Sequence, residues 1–410
     1  MSQTLLKSTL VTALVLAVRL PAQAVSLILL ARLLGADRFG MFAGVAAACV
    51  FLAGFATFGT HLTLLRDASR QEQNLRTGLA TALGTTMACG AALAVVFVII
   101  AMKFFPIGGV SIALLAVSEL LLQPVIVILA VPHHAAGSPA KAQSILLLTL
   151  ILRALWITVL YLFISGATLE DYIAGHFACS IFALIAAAWL LPTPSPRLRE
   201  LNLLPRSQWR ENGGYAVLAT TAAAPSELDK ITASKLLNPL AAGSYAASAR
   251  IAAAMVIPVI ALMLAMIPKL YRRSSVADGP TSDLPLFWAT VGYGAVAGGA
   301  LYLLAPVLAL LIGPSYVGLS DYVSWFAFIV PGMCLRLSAV NLLMTMNLPW
   351  RRAAVEMLGA AALVVFAVMF AKLRVEAPVL ISVAIVEYGM AAVGWVMVGY
   401  SKRVIVSSAQ

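Results

Sequence analysis

Residues 31–46 read ARLLGADRFGMFAGVA, and residues 234–249 read SKLLNPLAAGSYAASA. Aligned without gaps at an offset of 203, they share Leu33/Leu236, Leu34/Leu237, Gly40/Gly243 and Ala43/Ala246. Arg32/Lys235 and Phe42/Tyr245 match in character. The offset is nearly half of the 410-residue chain, so the pair reads as the trace of an internal duplication; chance likeness of two Ala/Leu-rich stretches is the alternative. The first stretch carries the turn Gly35-Ala36-Asp37-Arg38-Phe39-Gly40 between two long apolar runs.

Those runs recur along the whole chain. Hydrophobic residues make up 62%, charged residues 10%, and mean hydropathy is +0.98. A soluble domain carries about 25% charged residues. A hydrocarbon core of about 30 Å takes about 20 apolar residues in a helix, and in lipid only helices or closed barrels satisfy the backbone. Spans are expected near 8–34, 40–65, 78–102, 110–131, 141–165, 170–191, 213–236, 242–268, 285–312, 321–346, 352–371 and 377–400. The N-terminus runs straight into the first span, without a cleavable signal pattern.

Charge sets the orientation. With the N-terminus inside, sixteen Lys and Arg fall in inner loops and tails, among them Arg66, Arg76, Arg197, Arg199, Arg206 and Arg210, against six outside. That asymmetry predicts cytoplasmic termini. The net charge of +11 then reflects topology and anionic headgroups, with no nucleic-acid partner required. The longest break, 192–212, is rich in Pro and Arg. It divides the chain into a bundle at 1–195, a cytoplasmic linker at 196–212 and a bundle at 213–410. The offset spans six helices, an even number, so the halves share one orientation. The expected fold is all-α: a polytopic membrane protein of about twelve transmembrane helices in two six-helix bundles, related by a pseudo-two-fold axis along the membrane normal.

Pro21 and Pro225 sit at near-equivalent places in the first and seventh spans. A helix-interior proline removes a hydrogen bond, and matched interruptions in two halves point to a binding region; packing alone is the other explanation. Thr12, Arg19, Gln23 and Ser26 share a face in the first span, and Glu227, Lys230 and Ser234 in the seventh, with Asp229 beside Lys230. Five cations lie well inside spans: Arg19, Arg153, Lys230, Arg250 and Arg336. Exposed to lipid they would cost roughly 12–18 kcal/mol together, so they must face a wet cavity, a carboxylate or both. The intramembrane acids are Glu119, Glu227, Asp229 and Glu387, with Glu356 nearer the inner surface. Arginines lining a cavity suit phosphate, whose oxygens they bind in pairs; structural pairing across helices is the plainer alternative for any one of them. Thr149, Arg153 and Trp156 form one stripe, mixing a cation with an aromatic that can stack on sugar.

These segments resemble the Wzx-type O-antigen and exopolysaccharide flippases, the polysaccharide transport branch of the multidrug/oligosaccharidyl-lipid/polysaccharide flippase superfamily. The resemblance rests on ARLLGADRFGMFA at 31–43 and SELDKITASKLLNPLAAGSYAASARI at 226–251. Within them stand Asp229-Lys230, the turn at 237–243 and Tyr245 leading to Arg250. Lys230 stands where the family more usually has Arg, and Asn238-Pro239 where Gly-Pro is common. The chain also lacks the two extra spans of the peptidoglycan-precursor relatives. The resemblance implies a bacterial inner-membrane flippase moving an undecaprenyl-diphosphate-linked oligosaccharide by alternating access, for lipopolysaccharide O-antigen or exopolysaccharide biosynthesis. It implies substrate contacts from Arg19, Gln23, Arg153, Trp156, Lys230, Arg250 and Arg336. Coupling to a proton or cation would fall to Glu119, Glu227, Asp229 or Glu387. Partners would be the lipid-linked oligosaccharide, membrane lipids and other polysaccharide-assembly proteins.

The alternative is a multidrug or organic-cation antiporter of the same superfamily, which would put acids, not arginines, in the cavity. A membrane enzyme is disfavoured: no large outer loop, Ser/His/Asp set, phosphate loop or metal-ligand spacing stands out, so no catalytic residue, metal or cofactor is expected. Cys49, Cys89, Cys179 and Cys334 lie in spans, so buried packing is expected. Gly294 and Gly298 form a GxxxG of the kind that brings helices close.

Overall fold

The computed structural model describes residues 3–70, 74–136, 138–192, 196–275, 283–346 and 348–409, and every regular element among them is helical. By internal contacts the chain divides into two units, Met1–Thr220 and Thr221–Gln410.

The first unit opens with α1 (Gln3–Ala56), a 54-residue segment. Straight, it would run about 81 Å, far beyond a bilayer core of about 30 Å. It breaks at Gly35 (φ 68, ψ 170), a left-handed backbone that favours glycine, and so forms two arms of about one span each. The helix runs on through Pro21. After a turn at Thr57–Gly59 come α2 (Thr60–Arg70), α3 (Leu75–Phe104) and α4 (Gly109–Val117). A π-helical turn, Ser118–Leu122, leads into α5 (Gln123–Ala135), followed by α6 (Pro139–Phe163) and α7 (Leu169–Trp189).

The second unit repeats this order. Its first helix, α8 (Trp209–Leu236), starts in the first unit and stops where α9 (Pro239–Ser275) begins. Asn238, the residue aligned with Gly35 in the sequence repeat, sits at that break, and its Oδ1 accepts the Ala241 N–H at 2.8 Å. The two halves therefore turn at matched positions. The helices α10 (Leu284–Ile312), α11 (Leu319–Thr345), α12 (Pro349–Lys372) and α13 (Pro378–Ala409) follow in the order of α3, α4–α5, α6 and α7.

Among the described residues ten helices are long and apolar enough to cross a membrane, against about twelve expected spans. The difference has two causes. The expected spans 8–34 and 40–65 fall largely within one segment, α1, on either side of Gly35. The expected span 213–236 is helical but carries Glu227, Asp229, Lys230 and Lys235, too many charges for a plain apolar window. The protein is a multi-pass integral membrane protein.

Small residues let helices approach closely. A Cβ on Gly294 would lie 2.9 Å from Pro331 Cα, and one on Gly298 would meet the Ala327 carbonyl, so the GxxxG joins α10 to α11. Cys49, Cys179 and Cys334 are buried, and all four cysteines are free. Residues 196–212, expected as a separate linker, pack on the first unit. There the Leu204 N–H donates to Thr85 Oγ1 at 2.9 Å, and Thr63 Oγ1 donates to Asn212 Oδ1 at 2.8 Å. The boundary between units thus falls inside α8, after Thr220.

Candidate functional site

Three helices of the first unit enclose a cavity of about 280 Å³. On α6, Gln143, Leu146, Leu147, Leu150 and Arg153 recur at helical spacing, so one face supplies both its apolar floor and a cation. Arg19 and Gln23 come from α1 and Gln123 and Val127 from α5, each pair one turn apart. Thr149 completes the wall, and no carboxylate among the described residues lines it. Gln123 Oε1, Thr149 Oγ1 and Arg153 Nε are buried without a hydrogen-bond partner among the described residues. Orphaned polar atoms of this kind are costly unless a ligand or water meets them, and here three belong to residues that line one chamber.

Arg153 is held from behind. Its Nη2 lies 2.7 Å from Glu119 Oε1 and donates to Ser180 Oγ at 2.9 Å. The same Glu119 oxygen is 2.6 Å from His176 Nε2, and Ser118 and Ser180 hydroxyls sit 2.7 Å apart. Glu119 and Ser118 occupy the π turn between α4 and α5. Gly90 of α3 makes room for that turn, since a Cβ there would meet the Leu120 carbonyl. Arg153 is therefore half committed: one edge is paired and its Nε is bare. Arg19 is exposed and makes no hydrogen bond or ion pair among the described residues.

Trp156 departs from the expected stripe. Its Nε1 donates to the Asp171 carbonyl at 3.3 Å, and its indole lies over Gly175 of α7, outside the cavity lining. A Cβ at Gly175 would run into that ring. Gly175→Ala should cost about 1–3 kcal/mol through overpacking, read as a lowered melting midpoint in detergent. An unchanged midpoint would mean the indole moves freely.

In the second unit two of the cations expected to face substrate, Arg336 and Lys230, are tied to carboxylates. Arg336 Nε donates to Glu387 Oε2 at 2.7 Å, and its Nη1 lies 3.8 Å from Glu356, which Arg352 also reaches at 3.3 Å. Lys230 Nζ donates to Glu227 Oε2 at 2.9 Å and to the Ser226 carbonyl. Asp229 accepts the Tyr245 hydroxyl at 2.9 Å, and Tyr245 packs on Phe326 with ring centroids 5.4 Å apart. Arg250 is half-buried on α9, near Tyr316 in the α10–α11 loop. Burial pushes the Tyr316 phenol up, and Arg250 opposes that shift.

The structure thus brings Arg19, Gln23 and Arg153 together, with Glu119 behind Arg153. It places Glu227, Asp229 and Glu387 in pairs with Lys230, Tyr245 and Arg336. Sequence reasoning missed Gln123, Gln143 and His176; for Gln123 and His176 a polar side chain midway along an apolar span was signal enough, whereas Gln143 stands near the start of α6, where polar residues are ordinary.

No protein-family profile matches the chain, and no curated protein sequence matches it. Solved structures do. A multidrug resistance MATE family transporter of the MOP superfamily, in an inward-facing conformation, matches with a TM-score of 0.75 at 13% identity, over 97% of this chain and 100% of that one. An outward-facing one matches with a TM-score of 0.64 at 12% identity, over 98% and 94%. A MOP superfamily transporter from Pyrococcus furiosus, described as having a binding pocket of reversed polarity that suggests a different function, matches with a TM-score of 0.66 at 12% identity, over 97% and 95%. At these identities the likeness is one of fold.

Proposed function

We propose that this chain is a transporter that moves an undecaprenyl-diphosphate-linked oligosaccharide across a bacterial inner membrane by alternating access, with both termini cytoplasmic. The observation carrying this is the cavity of the first unit: two guanidinium groups, three glutamine amides and a threonine, with no acid among the described residues of the wall. Arginines suit the diphosphate, and unpartnered amide and hydroxyl oxygens suit sugar hydroxyls. The fold shared with transporters caught in inward- and outward-facing forms supports alternating access. The role is transport without catalysis. Lys230, Arg250 and Arg336 would engage substrate only where its binding competes with their present partners. A proton or cation coupled to transport must bind the two states with different affinity; Glu119, Glu227, Asp229 and Glu387 are the acids available to it. Polysaccharide-assembly proteins would supply and consume the cargo.

A second proposal, multidrug efflux, is favoured by the named activity of the MATE structures that share this fold. Two assays on the purified protein separate them. Native mass spectrometry should detect bound undecaprenyl diphosphate, while proteoliposomes should show no pH-gradient-driven movement of ethidium. Ethidium transport without lipid binding would replace the first proposal by the second.

A further inference from the structure

We propose that the segment Arg197–Arg210 is a strap at the membrane interface that binds the headgroups of anionic phospholipids. The inference is independent of what the protein transports. It begins with how the strap is fixed. Arg76 of α3 holds Glu200 through Nη2 at 2.9 Å and Nε at 3.2 Å. The Leu204 N–H donates to Thr85, and the Leu204 carbonyl accepts Trp209 Nε1 at 3.0 Å. Gly84 allows the crossing, because a Cβ there would meet the Asn202 backbone.

Those contacts fix its depth. The 30 residues of α3 span about 45 Å, about 15 Å more than the hydrocarbon core. The surplus lies at the N-terminal end, where Arg76, Thr77, Thr81, Thr85 and Thr86 stand; no charge occurs from Thr77 to Met102, and no hydroxyl after Thr86. Gly84 and Thr85 are about ten residues in, roughly 15 Å from the start, so the strap crosses at the boundary between headgroups and acyl chains.

Its side chains suit that level. Leu198, Leu203 and Trp209 are 81%, 66% and 55% exposed, unusual for a segment otherwise pinned to the protein. Exposed Arg197, Arg199, Arg206 and Arg210 alternate with them. Of the acids nearby, Glu211 is paired with Arg66 and Glu200 with Arg76, Arg197 also acting on Glu200 electrostatically and through its backbone N–H at 3.1 Å, which leaves Arg199, Arg206 and Arg210 without a carboxylate of their own among the described residues. None of the four makes an ion pair among the described residues. Apolar side chains entering the acyl boundary beside cations at phosphate level are the signature of attraction to an anionic leaflet.

The test uses the full chain in nanodiscs of phosphatidylcholine with increasing phosphatidylglycerol, the latter brominated, and follows the fluorescence lost on Trp209→Phe. Quenching of the Trp209 contribution should rise with phosphatidylglycerol. R206Q/R210Q and R197Q/R199Q should each raise the half-effect mole fraction about 25-fold, since each Arg near the surface contributes about a factor of five. Millimolar inorganic phosphate should not compete. Either pair carries the test if the other variant fails to fold. Undiminished quenching in a folded variant, equal quenching by brominated phosphatidylcholine, or displacement by free phosphate would each overturn the proposal.

Discussion

Glu387→Ala should destabilise the second unit by about 3–5 kcal/mol, seen as a large fall in the detergent melting midpoint. Arg336 is buried in α11, with its Nε on Glu387 at 2.7 Å and its other branch 3.8 Å from Glu356. Removing Glu387 leaves a buried guanidinium whose nearest remaining carboxylate is shared with Arg352. The double variant Arg336→Met/Glu387→Leu removes both charges and should recover to within about 1 kcal/mol of the starting protein, because such pairs often contribute little beyond their own desolvation. A double-mutant cycle isolates the coupling. If the single and double variants melted together, the pair would have no energetic role. The same comparison, run on transport, asks whether Arg336 is structural: a stable double variant that still transports would remove it from the substrate contacts.

The other large effect is expected at Arg19. Arg19→Ala should abolish surface polysaccharide without lowering protein level, because the side chain is exposed, lines the cavity and stabilises nothing else among the described residues. Losing two charge-assisted bonds of about 1.5–3 kcal/mol each would weaken a diphosphate by well over tenfold. Arg153 needs a different design. Arg153→Ala alone strands Glu119 in a buried site and confounds function with folding. Arg153→Gln/Glu119→Gln keeps the packing and hydrogen-bond capacity while removing both charges, and should also lose export. Normal export from both variants, with protein levels intact, would end the anion-cavity proposal.

What sequence could show was decided by range. The repeat at 31–46 and 234–249 anticipated matched breaks, found at Gly35 and Asn238, because a turn is written in neighbouring residues. Helical spacing likewise put Arg19 with Gln23 on one face, and both line the cavity. Pairings between helices left no such trace. Arg336 and Glu387 are 51 positions apart, and Glu119 meets His176 across 57. Nothing in the 3.6-residue period says which helix faces which. For that reason five intramembrane cations read alike in sequence, yet Arg19 proved open and Arg336 closed. Trp156 shows the limit within one face: its spacing matched Arg153, but the bare backbone of Gly175 drew the ring toward α7.

The π turn at Ser118–Leu122 accommodates one residue more than the α-helix around it would. Deleting one residue there regularises the helix while the flanking turns keep nearly their present phase, since the wide turn already absorbs the extra residue; Gln123 and Val127 stay in place and only the side chains of Ser118–Leu122 face a new direction. Glu119 would then lose its line to Arg153 while the cavity wall on α5 stayed in place. Kin that bind without this carboxylate should therefore be recognisable by a single-position gap, visible in an alignment before any coordinate is known.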